Sequence, residues 1–446
     1  MTPEAIGRNL ASTQSGSGDR IKVLAGSRPM PTLVLAYGPD VSRIGERARP
    51  GNRQMPLDRA SDVFPGGPLG DPEISRRHAT IEHEGSAFLL RDAGSKNGTF
   101  VNDKPIRDEG CPLSFGDVIR IGHTVLAFRE TMVPGIPDAK IDGLHGHSDA
   151  ARTLRAAIAR YAASDVPVLL SGDSGTGKEV AARALGRQGR PGRPFVAFNI
   201  ASAPRSLVES ELFGHAKGAF TGAVEARKGR FRESHTGTLF LDEIGDLPPE
   251  TQSLLLRVLE GGQVWPVGAS APESVDVRVV SATLRDLATL VEQGAFRHDL
   301  YIRIAQLVVR LPTLKERFED VPLLAIHFAN GRRFTAKAAA ELMAQAWPFN
   351  VRELKVIVQQ CLLDAPDSAA ELELTDAIRD RLAEHRKIAG TQPAQGQALD
   401  RETVEAALMR ASGNVTRAAA ELGKDRTQIY RVLRGLGLDP RDYRQS

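Results

Sequence analysis

One stretch of the chain carries the residue types of a phosphate-binding loop. It has the sequence GDSGTGKE, follows the apolar run 166–170 and precedes a segment of helical composition, 180–185. Glycines allow backbone N–H groups to surround a polyphosphate, and the N-terminus of the following helix adds positive potential. Lys178 is expected to contact the β and γ phosphates. The residues predicted to bind nucleotide are Gly172, Asp173, Ser174, Gly175, Thr176, Gly177, Lys178 and Glu179.

The residue after Lys178 departs from the general pattern of such loops. A serine or threonine that binds magnesium is usual there, whereas this chain has Glu179. Taken alone, the loop therefore leaves two interpretations open. It is either a nucleotide site or a glycine-rich turn that only connects a strand to a helix.

Two adjacent carboxylates favour the nucleotide site. Asp242 and Glu243 follow the apolar segment 237–241, which predicts a buried strand ending in two acids. We expect Asp242 to order Mg²⁺ through water. We expect Glu243 to polarise the water that attacks ATP. Paired acids at a strand end are often plain surface residues, but an upstream lysine loop makes that alternative weak here.

Length and composition indicate several domains. The chain has 446 residues, of which 25% are charged, and a formal net charge of +3. No apolar run approaches the ~20 residues of a membrane span, so we expect no membrane partner. Cys111 and Cys361 lie far apart, which fits a reduced compartment and predicts a cytoplasmic protein. The serine- and glycine-rich segment 1–29 predicts a disordered tail.

Three kinds of pattern follow that tail. Residues 30–130 hold short β-type runs separated by turn residues, which predicts a β-sandwich. After a linker at 131–140, strands alternate with helical patterns over 141–386, which predicts an α/β fold with a nucleotide site and a helical lid from about 318. A second linker, 387–399, precedes an all-α region, 400–446.

The first folded region resembles a forkhead-associated (FHA) domain over about a hundred residues. The resemblance rests on Ile44-Gly45, on ISRRHA at 74–79 and on DAGSKNGTFVN at 92–102. Such domains bind phosphothreonine peptides, and a phosphate dianion requires converging arginine, hydroxyl and amide donors. The resemblance implies that His78 is a buried bracing residue. It implies these phosphopeptide contacts: Ser75 and Arg76 on phosphate, Lys96 and Asn97 on phosphate and peptide backbone.

The first FHA motif departs from the family pattern. An arginine directly follows the glycine in the family, whereas Glu46 and then Arg47 follow Gly45 here. A long loop rich in proline and glycine, 49–71, then precedes Ser75. Three alternatives stay open: Arg47 supplies the phosphate contact, the sandwich binds something unphosphorylated, or it serves only for packing.

A segment between the two nucleotide motifs reveals a second resemblance. Nucleotide hydrolysis does not require residues 209–223, whose small residues around one aromatic suggest a loop that presents Phe220 to a partner. Residues 218–223 spell GAFTGA, by which bacterial enhancer-binding proteins, the AAA+ activators of sigma-54 RNA polymerase, engage the sigma factor. The resemblance implies sigma-factor contacts by Gly218, Ala219, Phe220, Thr221, Gly222 and Ala223.

Other positions match this family residue by residue. Asn199 matches the asparagine that holds the catalytic glutamate, here Glu243, in check. Arg297 and Arg303 match arginine fingers that reach the ATP of a neighbouring subunit, and Arg352 matches the lid arginine that contacts the phosphates. An arginine supplied in trans implies a ring, expected to be a hexamer.

Two substitutions depart from this family. Leu284 replaces an asparagine whose side chain senses the γ-phosphate, so coupling between hydrolysis and loop movement is expected to change. Phe349 replaces the usual glycine of the lid motif, which requires local repacking but leaves Arg352 in place. Hydrolysis of ATP is still expected.

The C-terminal region predicts three amphipathic helices. The first has one apolar face built from Val404, Ala407, Leu408 and Ala411, and a turn at 423–425 places the next two in a helix-turn-helix. The region resembles the Fis-type DNA-binding domain, which implies dimers on an inverted repeat. A helical hairpin with a solvated basic face is the alternative. The residues predicted to contact DNA are Arg426, Thr427, Gln428, Tyr430, Arg431 and Arg434.

These motifs together predict a DNA-bound, sigma-54-dependent transcriptional activator. It would hydrolyse ATP in a ring, remodel the sigma-54 holoenzyme into the open complex and respond to a phosphothreonine protein or kinase through the FHA domain. Two alternatives stay open. One is a DNA-bound phosphopeptide adaptor with a weak or inactive ATPase, and the other is an AAA+ remodeller of a different target.

Overall fold

The computed structural model describes residues 28–51, 54–84, 87–106, 110–133, 135–220, 223–366, 369–391 and 401–411, with 414, 415, 418, 422, 438 and 443. The chain divides into two compact units, one ending at Ile378 and the other beginning at Arg379. None of the described helices combines the length and the hydropathy that a bilayer crossing requires.

The first part of the larger unit is a sandwich of two antiparallel sheets. One sheet has the strand order β2-β1-β10-β9-β6-β7 and the other has β3-β4-β5-β8. The β-type runs 32–35, 79–81, 87–90, 118–121 and 125–128 all lie in strands, which confirms the predicted β-sandwich. The strands are β1 (Arg28–Tyr37), β2 (Arg47–Ala48), β3 (Met55–Leu57), β4 (Ala79–Glu84), β5 (Ala87–Asp92), β6 (Thr99–Val101), β7 (Lys104–Pro105), β8 (Cys111–Leu113), β9 (Val118–Ile121) and β10 (Thr124–Val133).

The sandwich core is built from alternate residues of these strands. Leu33 and Leu35 of β1 meet Leu126 and Phe128 of β10 there, all at most 2% exposed. The long loop between the first two FHA motifs contributes Phe64 to the same core, so it is a packed part of the domain. Arg59 of this loop donates to the carbonyls of Ile74 at 2.8 Å and Pro72 at 2.7 Å. The loop thereby fixes the backbone that precedes Ser75.

The second part of the larger unit has as its core a five-stranded parallel sheet of order β12-β15-β18-β11-β19. Its strands are short apolar runs, as expected when helices cover both faces of a parallel sheet. Two short antiparallel pairs, β13–β14 and β16–β17, project from the core. The strands are β11 (Val168–Ser171), β12 (Phe195–Asn199), β13 (Gly214–His215), β14 (Arg227–Lys228), β15 (Thr238–Asp242), β16 (Gln263–Val264), β17 (Glu273–Ser274), β18 (Arg278–Thr283) and β19 (Leu307–Arg310).

Helices surround this sheet and form a lid after it. The 3-10 segment Lys315–Asp320 connects β19 to the lid. The core helices are α1 (Asp149–Ala162), α2 (Lys178–Gly189), α3 (Arg205–Phe213), α4 (Arg230–Glu233), α5 (Pro249–Gly261), α6 (Leu287–Glu292) and α7 (His298–Ile304). The lid helices are α8 (Val321–Phe328), α9 (Ala336–Met343), α10 (Asn350–Asp364) and α11 (Asp376–Thr391). The last of these extends into the predicted second linker.

The smaller unit contains most of α11, one complete helix and a few described residues beyond it. Helix α12 (Arg401–Arg410) is the first of the three predicted helices. The structure confirms its predicted apolar face, because Val404, Ala407, Leu408 and Ala411 are at most 4% exposed and share a cluster with Leu438. The six residues predicted to contact DNA lie outside the described residues.

Candidate functional site

The phosphate-binding loop connects β11 to α2, which is the context that the sequence predicts. Gly172, Gly175 and Gly177 have φ values of 156°, 75° and 103°, which side chains rarely adopt. Helix α2 begins after Gly177 without a side-chain cap, so its first N–H groups remain available to an anion. Lys178 is 8% exposed, and its Nζ donates to the carbonyls of Gly172 at 2.9 Å and Asp173 at 3.2 Å.

Asp242 and Glu243 lie close to this lysine. Strand β15 ends at Asp242, and Glu243 follows in a left-handed conformation with φ 54°. Burial raises the pKa of both carboxyls and lowers the pKa of Lys178. Attraction between the Lys178 ammonium and each carboxylate partly offsets these shifts. A buried lysine and two partly buried carboxylates are therefore grouped together, which suits nucleotide phosphates and a hydrated divalent cation.

Asn199 contacts a different acid from the one the resemblance implies, and the acid it was expected to hold contacts Leu284 instead. The Asn199 amide lies 3.4 Å from a carboxylate oxygen of Asp242, the first acid of the pair, whereas the resemblance pairs this residue with Glu243. Glu243 accepts instead from the backbone N–H of Leu284 at 3.1 Å. The Leu284 side chain is 48% exposed and has no polar group, so its contact with Glu243 is made by the main chain alone.

The lid reaches the phosphate-binding loop through the start of α10. Asn350 donates to the Ser174 carbonyl at 2.9 Å, and the Arg352 guanidinium lies 3.1 Å from Ser174 Oγ. A Cβ on Gly175 would lie 2.0 Å from the Phe349 carbonyl oxygen, so only glycine fits there. Phe349 itself has φ −107°, a value that requires no glycine. This explains how the lid motif accommodates its substitution.

The two predicted arginine fingers flank helix α7. Arg297 precedes it and binds Asp299 with both arms of its guanidinium, at 3.0 and 2.7 Å. Arg303 lies in the last turn and donates to the Leu259 carbonyl at 2.8 Å. Both arginines bind partners of their own chain. To contact the nucleotide of a neighbouring subunit, Arg297 would have to break its ion pair with Asp299 or bind Asp299 and the nucleotide together.

The GAFTGA segment lies between the two short strands β13 and β14. Gly218 N–H donates to the Ala223 carbonyl at 2.8 Å, and Ala223 N–H donates to the Phe220 carbonyl at 2.9 Å. The Phe220 ring packs edge-on against His215, with centroids 5.0 Å apart, and is 38% exposed. An aromatic ring is thereby accessible at this loop. Thr221 and Gly222 lie outside the described residues.

The sandwich brings four predicted phosphopeptide residues to neighbouring loops. Ser75 Oγ accepts from Lys96 N–H at 3.1 Å, and the side chains of Arg76 and Lys96 are exposed. Asn97 donates to the Glu73 carbonyl at 2.8 Å. A hydroxyl and two exposed cations thus lie on adjoining loops.

His78 is the buried bracing residue that the resemblance implies. It is fully buried, accepts at Nδ1 from Ser75 N–H at 2.9 Å, and has its pKa lowered by burial.

Arg47, considered above for the phosphate contact, binds residues outside the sandwich in this structure. Its guanidinium donates to Asp149 at 2.7 Å and to the His147 carbonyl at 3.2 Å, both in the ATPase core. Glu46, at the position of the family arginine, pairs with Arg43 at 2.8 Å. The first motif therefore serves contacts within the chain, because its cation already has a carboxylate partner.

Comparisons with known proteins assign each part of the larger unit. Residues 144–310 match the sigma-54 interaction domain, residues 58–122 the FHA domain and residues 315–391 an AAA+ ATPase lid domain. The transcriptional regulator NtrC of Rhizobium meliloti is 37% identical over 436 residues, a match that covers 88% of each chain. This chain belongs to the sigma-54-dependent transcriptional activators. Its motor is an AAA+ ATPase.

Other similar proteins match a smaller share of this chain. NtrC of Azospirillum brasilense is 40% identical over 337 residues, which is 66% of this chain and 69% of the relative. Among solved structures, NtrX from Brucella abortus in complex with ADP is 32% identical with a TM-score of 0.49, and the match covers 66% of this chain and 70% of that one.

Sequence reasoning missed one set of contacts in this activator. Tyr37, Arg129 and Arg333 join the FHA sandwich to the ATPase, and none belongs to a motif. The run LVLAY at 33–37 is a sequence signal for this contact. A strand with one solvated face alternates apolar and polar residues, and this run does not alternate. A continuous apolar run indicates that both faces are covered.

Proposed function

We propose that this activator hydrolyses ATP in a ring and uses that energy to remodel the sigma-54 holoenzyme into the open complex. The observation that carries the proposal is the grouping of Lys178, Asp242 and Glu243 beneath a lid whose Arg352 reaches Ser174. An accessible aromatic at Phe220 supplies the contact with the sigma factor.

Each residue of the nucleotide site has a role in this proposal. Lys178 and the loop N–H groups bind the phosphates, and Glu243 orients the attacking water. Burial of Glu243 raises its pKa, which makes it a better proton acceptor than an exposed carboxylate. Asp242 would hold Mg²⁺ through water, where the ion supplies charge neutralisation of the phosphates. Arg297 and Arg303 of a neighbouring subunit would stabilise charge on the transferring phosphoryl group.

The remaining two domains would supply the regulatory signal and the binding to promoter DNA. The FHA loops around Ser75 and Lys96 would bind a phosphothreonine protein or kinase, with Arg76 as a second exposed cation. Asn97 would position the peptide backbone. The helix-turn-helix would bind an inverted repeat upstream of the promoter through the six residues from Arg426 to Arg434, as a dimer that assembles into a hexamer.

The variant Thr221→Ala tests the sigma-factor part of this proposal. It should leave ATP turnover near the wild-type value and abolish promoter opening by the sigma-54 holoenzyme, because the loop would no longer transmit the energy of hydrolysis. Turnover and promoter opening are measured on the same full-length protein. Undiminished opening by this variant would favour a remodeller of another target.

A DNA-bound phosphopeptide adaptor with a weak ATPase is the second candidate. The substitution at Leu284 favours it, since the polar side chain expected to sense the γ-phosphate is missing. Against it stands the Leu284 N–H, which still reaches Glu243 at 3.1 Å. Steady-state turnover that Glu243→Gln abolishes would exclude the adaptor, and the absence of any such turnover would favour it.

A further inference from the structure

The outer face of the six-stranded FHA sheet is buried although it faces away from the sandwich core. Val34 and Ala36 of β1 and Val125 and Ala127 of β10 alternate with the core residues, and each is at most 1% exposed. Antiparallel sheets usually leave one face in water. The lid helices α8 and α9 cover this face, since they contact strands β1, β9 and β10.

Helix α9 has the composition that such close packing requires. Its sequence AKAAAELM presents small side chains, and Ala336, Ala338, Ala339 and Ala340 are all buried. Small residues allow a helix backbone to approach a sheet closely, and the apolar area removed from water stabilises the contact. The FHA domain therefore has a second surface, on its outer sheet face, whose partner is the lid.

Polar contacts join the end of strand β1 to the residues just before α9. Tyr37 donates its hydroxyl proton to the Phe334 carbonyl, just before α9. Arg333 donates to the carbonyls of Gly38 at 2.6 Å and Pro39 at 2.7 Å, and its guanidinium lies 5.1 Å from the centre of the Tyr37 ring. These contacts hold one end of the lid to strand β1.

The same sheet also contacts the connection between core and lid. Arg129 of β10 pairs with Glu319, which is buried, and donates to the Glu316 carbonyl at 3.0 Å. Both partners belong to the segment Lys315–Asp320 that joins β19 to α8. Any rotation of the lid against the core must change the backbone of this segment.

A third group of contacts attaches the FHA domain to the core itself. Arg47 binds Asp149 at the start of α1, and Met132 N–H donates to the same carboxylate at 2.8 Å. Asp320, at the end of the connecting segment, accepts from the N–H groups of His147 and Ser148 at 2.7 and 2.9 Å, so this segment is also bound to the start of α1. The sandwich thus contacts the core, the connecting segment and the lid.

We propose that the FHA domain restrains the movement of the lid against the ATPase core through this surface. The inference rests on the proposed ATPase cycle, in which the lid must move because Arg352 closes over the phosphate-binding loop. A domain attached to both sides of the connection opposes that movement. Releasing the FHA domain should therefore speed turnover, so the docked state is the slower one.

The double variant Arg129→Ala/Arg333→Ala in the full-length protein tests this restraint. We expect ATP turnover to rise about fivefold or more, the lower range of coupling between sites in regulated proteins. Amide hydrogen exchange should accelerate in α9 and in residues 315–320. Arg91→Ala is the matched control, because Arg91 pairs with Glu82 at 2.9 Å on the other sheet of the sandwich. It should change neither readout.

Two outcomes would overturn the proposal. One is exchange in α9 that equals the wild type, which would show that these contacts do not hold the lid. The other is faster exchange with turnover unchanged or reduced, which would show that lid restraint does not limit the cycle. The exchange readout needs no hydrolysis, so a failed restraint is distinguishable from a failed ATPase assignment, which Glu243→Gln tests separately.

Discussion

The ATPase core and the FHA sandwich both carry motif residues that lie far apart in the sequence. The fold brings those of the core together, whereas one of those of the sandwich binds another domain. In the core, Lys178, Asp242 and Glu243 interact electrostatically, and Arg352 reaches the same loop. In the sandwich, Ser75 and Lys96 share a hydrogen bond, whereas Arg47 binds the ATPase. Lys178 therefore differs from Arg47, because the carboxylate that binds the Arg47 guanidinium belongs to another domain of the chain.

The largest expected effect tests the core side of this comparison. Glu243→Gln should lower ATP turnover by about 100-fold or more, because the amide cannot accept a proton from the attacking water. The matched control is Glu233→Gln, since Glu233 is an exposed acid outside the nucleotide site, paired with Arg230 at 2.9 Å. The control should stay within about twofold of wild type. Equal losses in both variants would contradict the assignment of Glu243.

The next effect tests the sandwich side. Ser75→Ala should weaken binding of a phosphothreonine peptide by about tenfold or more, because a hydrogen bond to a charged group is lost. Arg47→Ala should change that affinity by less than about twofold, since its guanidinium is bound to Asp149. Fluorescence anisotropy with matched phosphorylated and unphosphorylated peptides measures both. A comparable loss in Arg47→Ala would erase the contrast between the two sites.

A third variant pair sharpens the account of Glu243. Leu284→Ala keeps the backbone N–H that Glu243 accepts, so turnover should remain within about twofold of wild type. Leu284→Pro removes that N–H and should lower turnover by about tenfold, the scale of one lost hydrogen bond to a charge. Steady-state hydrolysis at saturating ATP measures both. A strong effect of the alanine variant would mean that the side chain matters after all.

Local motifs were predictable from sequence because their geometry is set within a few residues. The glycines of 172–177, the strand before Asp242 and the apolar face around Val404 all follow from short-range patterns. The hydrogen-bond partners of Asn199 and Arg47 were not predictable in the same way. They depend on which of several nearby carboxylates the complete tertiary packing brings closest, and no single segment contains that information.

The smallest expected effect concerns pH and the FHA–ATPase contact. Burial raises the pKa of Glu319 to about 7, from an unfolded value near 4.5, with Arg129 and Asp320 beside it. Its contribution to stability is complete below pH 4.5 and is lost as pH rises through 7. Wild-type protein should therefore lose about 2–4 °C more in Tm between pH 5 and 8 than Glu319→Gln does. Parallel losses in calorimetry would contradict this.

Open-complex formation is the most direct test of the central claim, that this chain converts ATP hydrolysis into promoter melting. The measurement is the fraction of promoter DNA melted by sigma-54 holoenzyme with full-length protein, with and without ATP. The account predicts melting only with ATP, and none with Glu243→Gln. Melting that proceeds without ATP, or equally well with Glu243→Gln, would contradict it.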